Sequence, residues 1–204
     1  MLITDNCLKQ VDTAQEKIKI AWLLEPPCIK QRIYDEIISL ENKFDLILTH
    51  QQYLITRNPD KYLFYPFAGC WIYPQHRKIY SKIKNVSIIV SNKHDTEGHK
   101  LRHDIVKHFG HAVDVYGRGY NAVDYKLDAL KDYRYTIVVE NERSDYWFTE
   151  KLIDAFVTGC MPIYWGCPDI DKFFNMQGLN FSNIAELDDL LHNVIPNLHT
   201  VHAG

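Results

Sequence analysis

The densest chemistry in this 204-residue chain lies in VVENERSDYWFTEKLIDAF (138–156). A run of β-branched residues ends in Glu140 and Asn141. A short loop then leads to Thr149, Glu150 and Lys151 at the start of a helical pattern. A helix N-terminus carries unpaired N–H groups and the positive end of the helix dipole, and both attract phosphate. Lys151 adds a mobile full charge. A cation there is mildly unfavourable by itself, so its presence makes sense beside a bound anion. The alternative is a surface lysine paired with a neighbouring carboxylate.

Other constellations are weaker. GRGYNA (117–122) has the form of a dinucleotide-binding fingerprint, with Glu140 about where a ribose-binding acid would stand. The helical pattern after it begins only near Asp124, so a tight turn ending a strand is the favoured reading. DID (169–171) could hold a divalent cation, yet Asp169 is more simply a helix cap. His94, His99, His103, His108 and His111 lack the Glu of a zinc-protease helix and read as solvated or core residues. Lys100 and Arg102, in the same helix as His99 and His103, are candidate phosphate counter-charges. Glu25 follows a strand and precedes Pro26 and Pro27, which fix its backbone. The aromatic stretch 62–74 could stack on sugars, but core is the default reading.

These residues need a scaffold that gathers strand ends. Strands are expected over 18–24, 45–49, 86–91, 112–116, 135–139 and 161–165. Helices are expected over 29–40, 97–109, 124–133 and 149–159, with short ones near 169–174 and 184–193. Segment 62–74 reads as a crossover or hinge. The βαβα order predicts an α/β fold with a parallel, doubly wound sheet. Ligands of such sheets bind at the carboxyl ends of the strands, which singles out Glu25 and positions 91–94, 117–120, 140–141 and 166–169.

Composition narrows the partners. Lys plus Arg is 23 and Asp plus Glu is 26, a net charge of −3. That balance offers no electrostatic case for nucleic acid. No apolar run approaches the roughly 20 residues that cross a bilayer. The start, MLITDNCLKQ, has neither a basic nor an apolar signal region. The five cysteines are scattered and form no CxxC pair. A soluble, cytoplasmic setting is therefore expected, while the aromatics of the first half leave a homodimer open.

Together these residues resemble the α1,3/4-fucosyltransferases, glycosyltransferase family 10, closest to bacterial members. The family's F-E-N…Y-x-T-E-K motif stands here as Val139-Glu140-Asn141 and Phe148-Thr149-Glu150-Lys151. The resemblance continues through LIDAFVTGCMPIYWGCPDIDKFF (152–174), and VSNKHDTEGHKLRH (90–103) and VDVYGRG (113–119) resemble further family segments. WLLEPP (22–27) is similar to an E-S-P segment. The resemblance implies a GT-B-like fold: a Rossmann-like, nucleotide-sugar-binding donor lobe over 83–204 and a short acceptor-side α/β lobe over 1–82. It implies inverting transfer of fucose from GDP-fucose to a saccharide hydroxyl, with no metal or other cofactor. Carried over by position, Glu25 is the catalytic base. Asn92, Lys100, Arg102, Glu140, Asn141, Glu150 and Lys151 serve the donor. The tyrosine preceding T-E-K falls on Trp147, with Tyr146 one residue earlier. The alternatives are another nucleotide sugar on the same scaffold, a non-catalytic nucleotide-sugar-binding protein, and an NAD-dependent oxidoreductase suggested by GRGYNA.

Overall fold

A computed structural model describes residues 1–66 and 69–195. The chain forms two four-stranded, all-parallel sheets. The first holds β1 (Leu2–Thr4), β2 (Ile20–Trp22), β3 (Leu46–Thr49) and β4 (Tyr62–Phe64) in sequential order. Its connections are a 3₁₀ helix (Asp5–Asp12), α1 (Pro27–Leu40) and α2 (Gln52–Arg57). Ile3, Ala21, Ile47 and Tyr62 share one register across the sheet. They bury against Leu8, Val11, Ile33, Tyr34 and Ile37, the i, i+3, i+4 stripe that made 29–40 legible as a helix.

The second sheet holds β5 (Lys84–Ile89), β6 (Asp114–Tyr116), β7 (Tyr133–Val139) and β8 (Met161–Trp165) in the order β6-β5-β7-β8. Around it lie α3 (Glu97–Phe109), a 3₁₀ turn (Lys126–Ala129), α4 (Glu150–Phe156), a second 3₁₀ turn (Ile170–Lys172) and α5 (Ile184–Asp189), which runs on into a π turn (Leu190–Val194). β7 is covered on both faces, as its unbroken apolar run requires. Tyr135, Ile137 and Val139 pack with Ile105 and Phe109 of α3 and Leu187 of α5. Val138 joins Leu152 and Ala155 of α4 on the other face. Strand order reverses between β5 and β7, and a crevice opens at the carboxyl ends of these two strands.

Several expectations change. The double winding belongs to the second sheet; the first advances in one direction without a reversal. β1 and its 3₁₀ helix were not anticipated. Segment 62–74 is not only a crossover, since Tyr62–Phe64 is a strand paired with β3. The helix expected over 124–133 shrinks to Lys126–Ala129. Its far end is claimed by β7, where the buried Tyr133 hydroxyl donates to Asp114 at 2.5 Å and meets the Tyr116 hydroxyl at 2.6 Å. Among the described residues no helix is long and apolar enough to cross a membrane.

Aromatic side chains from the loop between β7 and α4 meet the first sheet's lobe. Tyr146 lies edge-on to Phe64 at 5.6 Å between ring centroids. Trp147 lies 6.0 Å from His50, which is buried and whose pKa burial lowers to about 4. Each aromatic pair of this kind adds roughly 0.5–1.5 kcal/mol beyond its buried area.

Candidate functional site

At the carboxyl ends of β5 and β7 lies a cavity of about 380 Å³. Arg102, Asn141, Glu150 and Lys151 line it together with Ser91, Lys93 and His99. Ile89, Leu130 and Val138 add apolar surface to the lining, and Trp71, Lys126 and Asp154 also stand on the wall.

Glu140 organises the polar residues here. It terminates β7, is fully buried, and accepts from the Thr149 N–H at 2.8 Å and from the Thr149 hydroxyl at 2.7 Å. The Lys151 ammonium donates to it at 3.1 Å and to Thr149 Oγ1 at 2.9 Å. A buried carboxylate needs such partners. Glu140, expected from position to serve the donor, faces inward, holds Lys151 in place and is not among the residues lining the cavity. Both original readings of Lys151 coexist, because it pairs with a carboxylate and also lines the cavity. Thr149 caps α4 through the Lys151 N–H. α4 has only seven residues, so charged side chains, more than its dipole, make this end attractive to anions.

Arg102 is also buried. Its Nε and Nη2 donate to the Val139 carbonyl at 3.1 and 2.5 Å, and Nη2 donates to Asn141 Oδ1 at 3.1 Å. Burial lowers its pKa from the usual arginine value, against the charges of Glu140 and Glu150. His99 sits three residues before it on the same face of α3. Its Nδ1 accepts from the Thr96 N–H at 3.3 Å while Thr96 Oγ1 accepts from the His99 N–H, a reciprocal cap. Burial, then the Arg102 charge, lower its pKa to about 4. The ring is neutral near pH 7, and the Nδ1 contact places its proton on Nε2, a donor on a cavity-lining residue. Lys100, by contrast, points outward and is exposed, because it lies about a third of a turn off the face shared by His99 and Arg102. Glu150 carries a lowered pKa: burial raises it, and the charges of Lys151 and Lys126 outweigh that.

α3 reaches this position because residue 98 is glycine. The Gly98 N–H donates to the Asn141 carbonyl at 3.0 Å, and a Cβ at position 98 would stand 1.7 Å from the Glu140 carbonyl oxygen. Gly98→Ala is expected to cost about 1–3 kcal/mol through overpacking. In a chain of this size that lowers Tm by several degrees, and displacement of Arg102 should weaken anion binding in the same variant. A thermal melt and a GDP titration check both.

Other expected residues lie elsewhere. Asn92 is exposed beside the Gly117–Gly119 turn, while its neighbours Ser91 and Lys93 take the cavity wall. Tyr146 and Trp147 occupy the lobe junction instead of the wall. Tyr146 adopts φ +59°, and Trp147 is 1% exposed with its indole N–H unpaired. Glu25 does not line the cavity. It stands across the lobe boundary beside the loop that follows Asn141: the Cys28 thiol is raised to about 12 by burial, then by a hydrogen bond and charge from Glu142, and then by Glu25. The Tyr34 hydroxyl donates to the Glu25 carbonyl at 2.6 Å and fixes that backbone.

GRGYNA is a strand-ending loop. Gly117 at φ +116° passes so close to β5 that a Cβ would stand 2.0 Å from the Val90 carbonyl oxygen. The 3₁₀ turn that follows begins only at Lys126. With Glu140 committed inward, the dinucleotide reading loses both the helix end and the acid. Asp169 pairs with Lys172 at 3.1 Å without capping through its side chain, and Asp171 accepts from the Met176 N–H and from Asn180 Nδ2. Among the described residues no group of three or more His, Cys, Asp or Glu could hold a metal ion.

A parallel sheet with a cationic crevice at its strand-order reversal belongs to the Rossmann-like class that takes phosphorylated ligands at strand ends. Residues 79–199 match the model of glycosyltransferase family 10 (fucosyltransferase), C-terminal part, and the chain belongs to this family. It is 36% identical over 83 residues to the alpha-(1,3)-fucosyltransferase FucT of Helicobacter pylori, which is 40% of this chain and 17% of that protein. The crystal structure of an alpha1,3-fucosyltransferase superposes with a TM-score of 0.59 at 18% identity, covering 98% of this chain and 69% of the other. One with GDP-fucose superposes at 0.58, also at 18% identity, over 98% of this chain and 68% of the other. At that identity the likeness is one of fold, and it supports the GT-B-like architecture. The chain spans less than a fifth of the length of the bacterial relative it matches.

Proposed function

We propose that the chain is an inverting, metal-independent glycosyltransferase that moves fucose from GDP-fucose to a saccharide hydroxyl. The donor lobe comprises 83–204 and the acceptor-side lobe 1–82. The observation that carries this reading is the pair of anchored cations, Arg102 and Lys151, on one cavity at the strand-order reversal of a chain in this family. In the reaction the acceptor hydroxyl oxygen bonds to the anomeric carbon on the face opposite the phosphate, and the carbon–phosphate-oxygen bond breaks. The hydroxyl proton passes to the Glu25 carboxylate. The electron pair leaves on the β-phosphate of GDP, where Arg102, Lys151 and Lys93 stabilise it and the His99 N–H can donate to it. Fixed charges do this without reorganising at the moment of reaction, which is the role a divalent cation plays in metal-dependent transferases. Asn141 and Glu150 bind donor hydroxyls.

The test is GDP release and product formation from GDP-fucose with a panel of oligosaccharides, with and without EDTA. Transfer that persists in EDTA, with inverted anomeric configuration, supports the proposal. Loss of transfer in EDTA removes metal independence. GDP binding without transfer to any acceptor supports a non-catalytic binding protein.

A further inference from the structure

Trp71 belongs to the aromatic stretch whose default reading was core. Its neighbour Ile72 is 3% exposed, but Trp71 itself is 69% exposed and stands on the cavity wall. An exposed aromatic ring alone means little. What distinguishes Trp71 is how it is held. Its backbone N–H donates at 2.7 Å to one oxygen of Asp154, a carboxylate of α4 that is 1% exposed. The other oxygen accepts from the Lys126 ammonium at 2.9 Å. Lys126 also contacts Glu150 at 3.3 Å and lies 5.2 Å from the centre of the Trp71 ring. One buried carboxylate thus fixes both the backbone that carries the indole and the cation against it. The ring also borders a second cavity of about 240 Å³.

The main cavity combines two kinds of lining. Arg102, Lys151 and Lys93 supply cations, and Leu130, Ile89 and Val138 supply apolar surface beside the Trp71 ring on the same wall. A ligand matched to this lining carries both an anionic group and a flat aromatic group, as a nucleoside diphosphate does. We infer that Trp71 stacks on the nucleobase of the nucleoside diphosphate held in this cavity, with Asp154 and Lys126 as the residues that position it. The inference rests on the nucleotide-sugar reading above.

The experiment titrates the wild-type chain, Trp71→Ala and Trp71→Phe with GDP and with inorganic pyrophosphate, alongside thermal melts of the free proteins. Stacking of a base on an aromatic side chain predicts that Trp71→Ala weakens GDP binding about 5- to 100-fold. Pyrophosphate affinity and Tm should stay unchanged, and Trp71→Phe should keep most of the GDP affinity. Equal GDP affinity in wild type and Trp71→Ala overturns the inference, as does an equal loss of both ligands. A Trp71→Ala variant with intact GDP affinity but a raised KM for a saccharide acceptor assigns the ring to the acceptor instead, and also overturns it. Absence of GDP binding to the wild-type chain overturns the nucleotide reading itself, a result distinct from the others.

Discussion

Glu25→Gln is expected to lower kcat for fucose transfer by about 10²–10⁴, the range over which a positioned general base acts, while the Kd for GDP stays within about twofold. The amide keeps the shape of the side chain and cannot take the acceptor proton. The Tyr34 hydroxyl contacts the Glu25 backbone carbonyl, so the substitution leaves that anchor in place. Glu25 follows β2 of the first sheet and does not line the cavity beside the second, and the charges of Glu25 and of Glu142, in the loop after Asn141, both act on Cys28. That arrangement predicts a clean division between turnover and nucleotide affinity. Steady-state kinetics with parallel GDP titrations measure it, and unchanged turnover removes Glu25 as the base.

The path from sequence to fold was easiest to follow where elements were long or continuous. The stripe of α3 and the unbroken apolar run of β7 state their own burial. β1 and β4 were hidden because three-residue strands carry too little pattern, and pairing with β2 and β3 defines them. The stretch 124–133 shows the opposite failure. Leu127 and Leu130 have helical spacing, but Tyr133 gains buried hydrogen bonds as a strand residue, and tertiary context outweighs weak local preference.

The cavity divides in the same way. Arg102, Asn141, Glu150 and Lys151 lie in two contiguous segments, so a local pattern brings them to notice. Trp71, Lys126 and Asp154 come from three separate segments and are joined by the Asp154 carboxylate and by the Lys126 ammonium against the Trp71 ring, contacts no spacing encodes. The inward turn of Glu140 is likewise tertiary, because residue type alone does not tell a carboxylate that holds a lysine from one that meets a ligand. Lys100 and Asn92 lie one residue from cavity-lining positions. On a helix or at a strand end that small a step moves a side chain to another face.

The second large effect concerns Lys151. Lys151→Ala removes a cation from the cavity lining and takes from Glu140, a fully buried carboxylate, the ammonium that pairs with it. Hydrogen bonds to charged groups contribute about 1.5–3 kcal/mol, so GDP affinity should fall roughly 10- to 150-fold. Breaking a buried ion pair typically costs about 3–5 kcal/mol. The lower end applies here, because the N–H and hydroxyl of Thr149 still donate to Glu140 and the Lys151 side chain is 26% exposed. The two losses can be separated. Adding Glu140→Gln to Lys151→Ala removes the unpaired buried charge and should recover most of the Tm without restoring GDP binding. Recovery of both would show that Lys151 acts on the nucleotide only through the fold.

The most direct measurement is a calorimetric titration of the wild-type chain with GDP in the presence of EDTA, with NAD as the comparison ligand. Saturable GDP binding at one site is expected, surviving chelation and weakened by Lys151→Ala, with no binding of NAD. Binding of NAD in the absence of any GDP response would contradict it.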